Sequence, residues 1–441
     1  MVATPQRDWT WWVIGYTVAI AIVKAMFFSG TTLLDTFVFL ALLGSLFFAS
    51  SLNVAQWARV AVFAILLVLV IPYIGLRNTF YLDVVTQVGI FAALALGLNI
   101  VVGFAGLLDL GFVAFFAVGA YCWAIFGSAQ ANNFLNIAGA ANFFPLASDF
   151  FFLMLLVAIV VAALVGVLLG LPVLRLRGDY LAIVTLGFGE MIRVLANNLD
   201  KPVNITNGPR GITGIGQPLS DVATALGSPA IAAFKWQALT YYVLVLLVIG
   251  LAIFFTRRLD NSRIGRAWIA IREDEVAAQA MGVPLVRMKL IAFATGASFA
   301  GVMGALFSAK QTFISPESFD FNQSIGVLAM VVLGGLGSIR GAIVGAAIVT
   351  ILNLQVLKAF STWLNGLRSE GVEILGYSLA NLPAQFEPSK YERLIFGIIL
   401  IAMMLYRPQG LIPEKRRAHE LEKKSTDETG AAGAGVAVKP P

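Results

Sequence analysis

The sequence contains one cysteine, Cys122, and one histidine, His419, in 441 residues. A single cysteine cannot form a disulfide within the chain, and these two residues cannot supply a Cys/His metal site. Charge is also scarce: Asp, Glu, Lys and Arg make up 12% of the residues, whereas a soluble domain is about one quarter charged. Together with a hydrophobic content of 59%, these scarcities exclude an ordinary soluble domain and indicate a polytopic membrane protein.

Apolar runs long enough to cross a membrane, about 20 residues each, recur along the chain. They are continuous rather than alternating with polar residues, which favours helices over a β-barrel. The predicted fold is all-α, a polytopic helical membrane protein with about 10–12 transmembrane segments, including glycine-broken or re-entrant helices. The candidate spans are 9–28, 33–50, 56–76, 80–101, 112–128, 149–174, 179–198, 237–256, 288–309, 323–337, 341–357 and 392–406. The pair 323–337 and 341–357, separated by GGLGSIRGA, is either two crossings or one re-entrant hairpin.

Lys and Arg concentrate on one side when these spans are threaded in order, above all in the segment 257–287. Because short loops rich in Lys and Arg stay in the cytoplasm, both termini are predicted to be cytoplasmic and 199–236 to lie outside. Topology then explains the net charge of +6 better than nucleic-acid binding does. The segment 413–441 is charged and then rich in small residues, so it cannot bury a core and is predicted to be disordered.

The stretch GLNIVVGFAGLLDLGFVAFFAVGAY, residues 97–121, interrupts apolar sequence with five glycines and one acid. Glycine lets helices approach closely or unwind, and unwound backbone at membrane depth must be buried in protein or line a wet cavity. Asp109 is costly in lipid, so it should face the protein interior or a water path. Two interpretations are open: Asp109 caps the helix that begins near Gly111, or it contacts a polar path through the membrane.

A second polar pair lies in LRLRGDYLAIVTLGFGEMIRVLANN, residues 174–198, where Arg193 follows Glu190 at i+3 on the same helix face. This pair is either a structural ion pair near the outer membrane boundary or a polar group on the path. The glycine-rich segments TNGPRGI and GGLGSIRGA lack the G-x-x-x-x-G-K-[ST] pattern that cradles phosphate. The chain is therefore predicted to have no ATP site of its own.

The cytoplasmic segment 257–287 mixes basic and acidic residues around an amphipathic stretch. We predict one helix from Gly265 to Met281 that stops at Gly282, with Pro284 after it. A plain solvated loop would not need its large apolar residues, which are Trp268, Ile269, Ile271, Val276 and Met281. They either lie on the membrane surface or dock into a groove of a partner protein.

Five motifs in this order resemble the LivM-type permease of bacterial branched-chain amino acid ABC importers: GLNIVVGFAGLLDLGFVAFFAVGAY, LRLRGDYLAIVTLGFGEMIRVL, TNGPRGI, IGRAWIAIREDEVAAQAMGV and MVVLGGLGSIRGAIVGA. The resemblance covers about Asn78 to Pro413. It implies a permease core at 78–412 that contains a cytoplasmic coupling loop at 257–287. An N-terminal membrane extension of about three helices, 1–77, would precede the core, and the tail 413–441 would follow it.

The resemblance implies an import channel subunit of the bacterial inner membrane and not an enzyme. Its partners would be a homologous LivH-type permease, two ABC ATPase subunits and a periplasmic substrate-binding protein. ATP and Mg²⁺ would be used by the ATPases, and this chain would bind no cofactor. An EAA-type motif, EVAAQAMG, has one extra residue between its Glu and its Ala pair; the implied coupling residues are Arg272, Glu273, Glu275, Ala277, Ala278 and Gly282. The predicted substrate-path residues are Asn99, Gly103, Gly106, Asp109 and Glu190.

Two alternatives are open at this stage. Permeases of the same family for urea, short-chain amides or other amino acids have similar motifs. An ion-coupled secondary carrier would need intramembrane ionisable groups, and the candidates are few: Lys24, Asp109, Glu190 and Arg193. Lys24 also lies near enough to a helix end for its ammonium to reach the membrane surface. The cytoplasmic segment 257–287 would have no explanation in a secondary carrier, so the ABC permease is favoured.

Overall fold

The computed structural model describes residues 9–27, 33–51, 54–134, 144–173, 176, 178–218, 230–369, 373–374, 377–378, 391–407 and 409–412. The tail 413–441, predicted to be disordered, lies outside these residues. The described helices are α1 (Thr10–Phe27), α2 (Leu33–Ser51), α3 (Gln56–Arg77), α4 (Thr79–Phe104), α5 (Val113–Phe126), α6 (Phe151–Val173), α7 (Asp179–Asn198), α8 (Ala230–Asp260), α9 (Arg263–Glu273), α10 (Glu275–Ala280), α11 (Leu285–Gln311), α12 (Phe321–Gly334), α13 (Ile339–Ile351, continuing through Leu352–Leu357 and Lys358–Ser369) and α14 (Glu392–Tyr406). Each candidate span coincides with one of these helices, which confirms the predicted all-α fold.

Within the described residues, six helical segments are long and apolar enough to cross a membrane: Gln56–Arg77, Thr79–Phe104, Ser148–Pro172, Trp236–Asp260, Leu285–Gln311 and Ile339–Gly366. Shorter apolar helices occur at Thr10–Met26, Leu34–Leu46 and Val113–Phe126. The polytopic membrane architecture follows from the six long segments. The count of 10–12 crossings stays a prediction, because helix length alone does not decide whether the shorter helices cross.

Helices α4 and α11 form the centre of the molecule. The spanning part of α4 is 78% buried, whereas that of α6 is only 22% buried. Helix α11 packs on α5 through small residues: a Cβ on Gly119 would overlap the carbonyl oxygen of Gly301, and one on Gly304 would overlap that of Phe116. Small residues at these crossings let backbones touch, which is how helices pack where lipid supplies no hydrophobic driving force.

Helix α6 lies at the periphery of the molecule. Its exposed large side chains form one stripe at helical spacing: Leu153, Leu156, Val160, Leu164, Leu168 and Leu171. Its opposite side carries Ala158, Ala162 and Leu169, which are buried in the main core. An aliphatic stripe of this kind is what a helix presents to hydrocarbon.

The N-terminal helices α1–α3 have a core of their own that is joined to the start of α4. Tyr81 and Val84 of α4 belong to the same buried cluster as Val13, Phe39 and Leu66. The ammonium of Lys24 is buried there, donating to the hydroxyl of Tyr81 at 2.7 Å and lying 3.5 Å from Asp35 Oδ1. The suggestion that Lys24 reaches the membrane surface is therefore wrong, because its charge is bound inside. The boundary between the extension 1–77 and the core stays a prediction.

One end of the molecule is closed by a short β pair and 3₁₀ turns. Ile212–Thr213 pairs antiparallel with Phe313–Ile314, so the loop after α7 is joined to the loop after α11. The opposite end holds α9, α10 and the glycine-rich turn between α12 and α13. In that turn, a Cβ on Gly334 would overlap the carbonyl oxygen of Gly341, so the two helices touch. Because the helix that begins at Ile339 runs to Gly366, long enough to cross, the segment 341–357 fits a crossing better than one arm of a re-entrant hairpin.

Candidate functional site

The break between α4 and α5 comprises residues 99–112 and so includes the last turn of α4. It begins with a π-helical turn, Asn99–Phe104, and continues as non-helical backbone to the start of α5. Single π turns are frequent at functional sites, since they interrupt the regular helical ladder. Gly106 has a φ of +70°, a left-handed conformation that costs other residues energy. The interruption predicted from the glycines of 97–121 is therefore present.

Asn99 joins this break to the second glycine-rich turn. Its Oδ1 accepts a hydrogen bond from the backbone N–H of Gly337 at 2.9 Å, across 238 residues of sequence. A Cβ on Gly103 would overlap Asn99 Oδ1 and would lie 2.6 Å from the Gly337 nitrogen. The Nδ2 of Asn99 is buried with no hydrogen-bond partner among the described residues. The two glycine-rich segments, distant in sequence, thus meet at one buried polar contact.

Asp109 is 1% exposed and lies in the second half of the break. Its Oδ1 accepts a hydrogen bond from the Gly111 N–H at 2.9 Å, which is a local capping contact just before α5. Its Oδ2 is buried with no hydrogen-bond partner among the described residues. Thr185 Oγ1 of α7 accepts from the Leu110 N–H at 3.1 Å. Asp109 therefore shapes the turn with one oxygen, and its buried carboxylate lies beside Thr185 of α7.

Glu190 and Arg193 form the predicted pair on α7, with Arg193 Nε 2.8 Å from Glu190 Oε2. Arg193 also lies 3.4 Å from Glu317 Oε1, so the pair extends to the loop that precedes α12. Glu190 lines a narrow cleft together with Gly111 and Ser324. Asp109 and Glu190, predicted to share a path, are thus placed around Gly111.

The coupling loop, 257–287, contains two helices and not the single helix predicted from Gly265 to Met281. Helix α9 ends at Glu273, and Asp274 adopts an extended conformation with φ −154° before α10. The Asp274 carboxylate accepts from the N–H groups of Val276 and Ala277 at 2.8 and 3.0 Å. Aspartate competes well as a helix N-cap, so it ends one helix and starts another. Gly282 follows with φ +83°, consistent with the predicted stop.

Two of the large apolar residues of the loop are buried inside the protein, so they lie neither on the membrane surface nor in a groove of a partner protein. Trp268 is 0% exposed and donates its indole N–H to the carbonyl of Met288 at 2.8 Å. Ile271 is 5% exposed. The amphipathic pattern of α9 therefore reflects packing of the loop on its own membrane helices. By contrast, Val276 and Met281 are 64% and 85% exposed.

Arg272 connects the loop directly to the α4–α5 break. Its guanidinium Nη1 donates to the carbonyl oxygen of Gly103. Its side chain covers Gly106, where an added Cβ would lie 2.9 Å from Arg272 Cγ. Glu275 pairs with Lys289 of α11 at 2.6 Å. Arg272 and Glu275, two of the implied coupling residues, attach the loop to the membrane helices, because each finds a polar group of the chain within reach.

The remaining predicted coupling residues differ in exposure. Glu273 and Ala277 are exposed, whereas Ala278 is 4% exposed. Ala278 is thus covered by other residues of this chain. Among the described residues, no group of three or more His, Cys, Asp and Glu is placed to hold a metal ion.

A polar cavity at the opposite end of the molecule was not predicted from the sequence. It has a volume of about 910 Å³ and lies between α4, α8, the end of α11 and α13. Lys310 lies 3.6 Å from Asp83 Oδ1 at its wall. The signal in the sequence was weak, because Lys310 follows directly after an apolar span, as an ordinary helix-end lysine does.

Known proteins similar to this chain are transport permeases. A family model described as branched-chain amino acid transport system / permease component matches residues 80–404. The chain is 38% identical over 358 residues to the high-affinity branched-chain amino acid transport system permease protein LivM of Escherichia coli (strain K12), covering 78% of this chain and 72% of that protein. It is 26% identical to the probable LivM of Methanocaldococcus jannaschii, covering 74% of this chain and 91% of that protein.

A more distant similarity reaches a second permease. The LivH permease protein of Escherichia coli (strain K12) is 29% identical over 176 residues, which cover 40% of this chain and 47% of that protein. No solved structure matches the chain. The match of the family model over most of a chain that folds as a multi-pass helical membrane protein establishes the family. The chain belongs to the family of branched-chain amino acid transport system permease components.

Proposed function

We propose that this chain is the transmembrane permease subunit of an ATP-driven importer of branched-chain amino acids in the bacterial inner membrane. Membership of the permease family makes the chain a transport component and not an enzyme. The observation that carries the proposal is the 38% identity to a LivM permease over 78% of this chain. The similarity to LivH permeases supports a homologous permease as the partner that completes the channel.

The proposal includes two ABC ATPase subunits and a periplasmic substrate-binding protein as further partners. ATP and Mg²⁺ are used by the ATPases, and this chain alone is expected neither to bind nor to hydrolyse ATP. Support comes from the coupling loop, whose exposed apolar residues Val276 and Met281 are not explained by packing within the chain. Exposed apolar side chains beside exposed charges such as Glu273 are typical of a protein contact.

In this proposal, the loop has two surfaces with different tasks. Glu273, Ala277 and the stop at Gly282 belong to the surface that meets the ATPase. Arg272 and Glu275 hold the loop to the membrane helices through Gly103 and Lys289. Movement of an ATPase would therefore reach the α4–α5 break directly. The substrate path is proposed to involve Asn99, Gly103, Gly106, Asp109 and Glu190, the residues of that break and of the cleft beside Gly111.

Reconstitution tests the function. The chain is co-expressed with its second permease and ATPases, incorporated into proteoliposomes and supplied with leucine-loaded binding protein. Uptake of labelled leucine is expected with enclosed Mg-ATP and not with a proton or sodium gradient. ATP-driven uptake of urea or short-chain amides without leucine uptake would move the substrate assignment to those relatives. Gradient-driven uptake without ATP would refute the ABC importer.

The ATPase contact is tested by substituting its most exposed apolar residue. Met281→Asp should weaken copurification of the ATPase subunits several-fold, because it places a carboxylate in an apolar contact. Gln279→Asp adds the same charge at an exposed polar position of α10 and is the matched control. Equal ATPase recovery with both variants would show that the ATPase binds elsewhere.

A further inference from the structure

The polar cavity at the end opposite the coupling loop contains an ion pair whose hydrogen-bonding capacity is only partly used. Lys310 ends α11 and donates to the Asp83 carbonyl at 3.3 Å, with Asp83 Oδ1 at 3.6 Å. The side chain of Lys310 is 15% exposed and that of Asp83 is 54% exposed. Lysine has three N–H donors, and both contacts described for Lys310 are to one residue. The pair therefore presents a cation and an anion side by side at a cavity wall.

The other walls carry both amide and apolar groups. Gln217 and Gln237 line the cavity and are hydrogen bonded to each other through their side-chain amides. Leu354 and Leu357 of α13 supply aliphatic surface. Tyr241 adds a ring whose hydroxyl is satisfied by the carbonyl of Ala309 at 3.0 Å. Amides that fix orientation, beside apolar surface, are the usual composition of a small-molecule site.

The cavity is large enough to admit a small ligand. Ligand sites typically enclose about 300–1,000 Å³, and this cavity has about 910 Å³. Exposed residues at its margin, including Lys358 and Thr362, show that it opens to the surface. A large aqueous opening would not by itself select a ligand. The adjacent opposite charges of Lys310 and Asp83 can select a ligand, because they favour a molecule that has a positive and a negative charge a few bonds apart.

We propose that this cavity binds the zwitterion of an α-amino acid, with the ligand carboxylate at Lys310 and its ammonium at Asp83. The aliphatic side chain lies toward Leu354 and Leu357. The cavity is then an intake site on the outer side of the permease. This inference rests on the proposed function, which supplies the substrate class and the sidedness.

The test measures direct binding of labelled leucine to the assembled permease–ATPase complex in lipid nanodiscs, without the binding protein. Wild-type complex is expected to bind leucine saturably. Lys310→Met should weaken binding at least tenfold, because it removes the cation that pairs with the ligand carboxylate in this assignment. Lys201→Met, which removes an exposed cation near the same end of the molecule, is the matched control and should bind like wild type.

Two analogues separate zwitterion recognition from general affinity. The α-keto acid of leucine lacks the ammonium and isoamylamine lacks the carboxylate, so neither should compete at concentrations where valine or isoleucine does. Effective competition by either analogue overturns the assignment. A second variant, Ala238→Phe, narrows the cavity without altering its charge and should also weaken binding, so the proposal can still be tested if Lys310→Met fails to assemble.

The outcomes distinguish this inference from the function on which it rests. If wild-type proteoliposomes import leucine with ATP but leucine binding is absent or unchanged by both variants, the intake site is wrong and the importer stands. If wild-type proteoliposomes import no leucine, the proposed function itself fails. A cavity that is filled by the partner permease or by lipid in the complex belongs to the first outcome, since binding would be absent.

Discussion

At the scale of single residues, the most consequential contact is that of Arg272 with the α4–α5 break. The guanidinium donates to the Gly103 carbonyl while the alkyl part of the side chain covers Gly106. A peptide carbonyl outside a regular helix needs a donor when it is buried. Arginine supplies that donor from the coupling loop. The loop and the break are consequently held together by one side chain.

Replacing Arg272 tests this contact. Arg272→Met retains apolar cover for Gly106 but removes the donor, so leucine uptake by the reconstituted complex should fall about tenfold, the effect of roughly 1.4 kcal/mol. ATPase subunits should still copurify, because the exposed side of the loop is unchanged. Arg266→Met removes an exposed arginine of the same helix and serves as control. Unchanged uptake in Arg272→Met would show that the contact does not transmit coupling.

Gly106 provides a second prediction at this scale. Gly106→Leu should lower transport more than it lowers the amount of protein in the membrane, because the left-handed backbone costs a substituted residue about 1–2 kcal/mol and the new side chain meets Arg272. Gly250→Leu is the control, since Gly250 lies on α8 with open space at its Cβ position. Uptake per permease molecule is the measurement. A loss of expression equal to the loss of transport would reduce Gly106 to a packing residue.

At the scale of elements, the coupling loop is a helix pair with one side attached and one side exposed. Trp268 and Ile271 anchor α9, while Asp274 starts α10 at a new angle. Gly282 then returns the chain toward α11 with φ +83° and has no atom within 4 Å of an added Cβ. Its role is thus purely one of backbone conformation.

Two substitutions at Gly282 separate conformation from contact. Gly282→Val should abolish substrate-stimulated ATPase activity of the assembled complex, because a β-branched residue resists a positive φ. Gly282→Asn should retain most of the stimulation, because asparagine tolerates that conformation best among residues with a side chain. Both variants should insert and pair with the second permease. Stimulation lost equally in both would indicate a steric contact at this position instead.

At the scale of the whole molecule, the two ends have different constructions. One end has the β pair Ile212–Thr213 with Phe313–Ile314 and the polar cavity. The other end has the coupling loop and the contact between Asn99 and Gly337. Lys and Arg are abundant in 257–287, so the positive-inside rule predicts a cytoplasmic position for the coupling-loop end. The proposed position of both termini in the cytoplasm follows from the same threading.

Cysteine labelling in intact cells and inside-out vesicles tests this orientation. In a Cys122→Ser background, Val203→Cys should react with an impermeant maleimide from the periplasmic side. Gln279→Cys should react only from the cytoplasmic side. Both positions are exposed, so access depends on sidedness alone. Labelling of both positions from the same side would overturn the topology. A second labelling step after denaturation, which detects cysteines that the first step left unblocked, gives the reference for complete blocking.

The sequence by itself determined the class of the protein and the position of nearly every helix. Continuous apolar runs have few alternatives in a membrane, because every backbone polar group must be paired within its own segment. The Glu190–Arg193 pair and the helix end at Gly282 could also be predicted from the sequence, since both depend on residues close together in the chain. The membrane permease family followed from motifs, whose order reflects common descent.

Only the tertiary structure decided which polar groups meet across the chain. Asn99 and Gly337 are 238 residues apart, and no local rule pairs them. Trp268 was expected on a membrane or partner surface and is buried by the protein, because amphipathicity shows that a face is covered and does not show by what. The ion pair of Asp83 and Lys310 likewise lines a cavity only because α4, α8, α11 and α13 pack around it. Long-range packing determines such sites, and single-segment patterns contain no information about it.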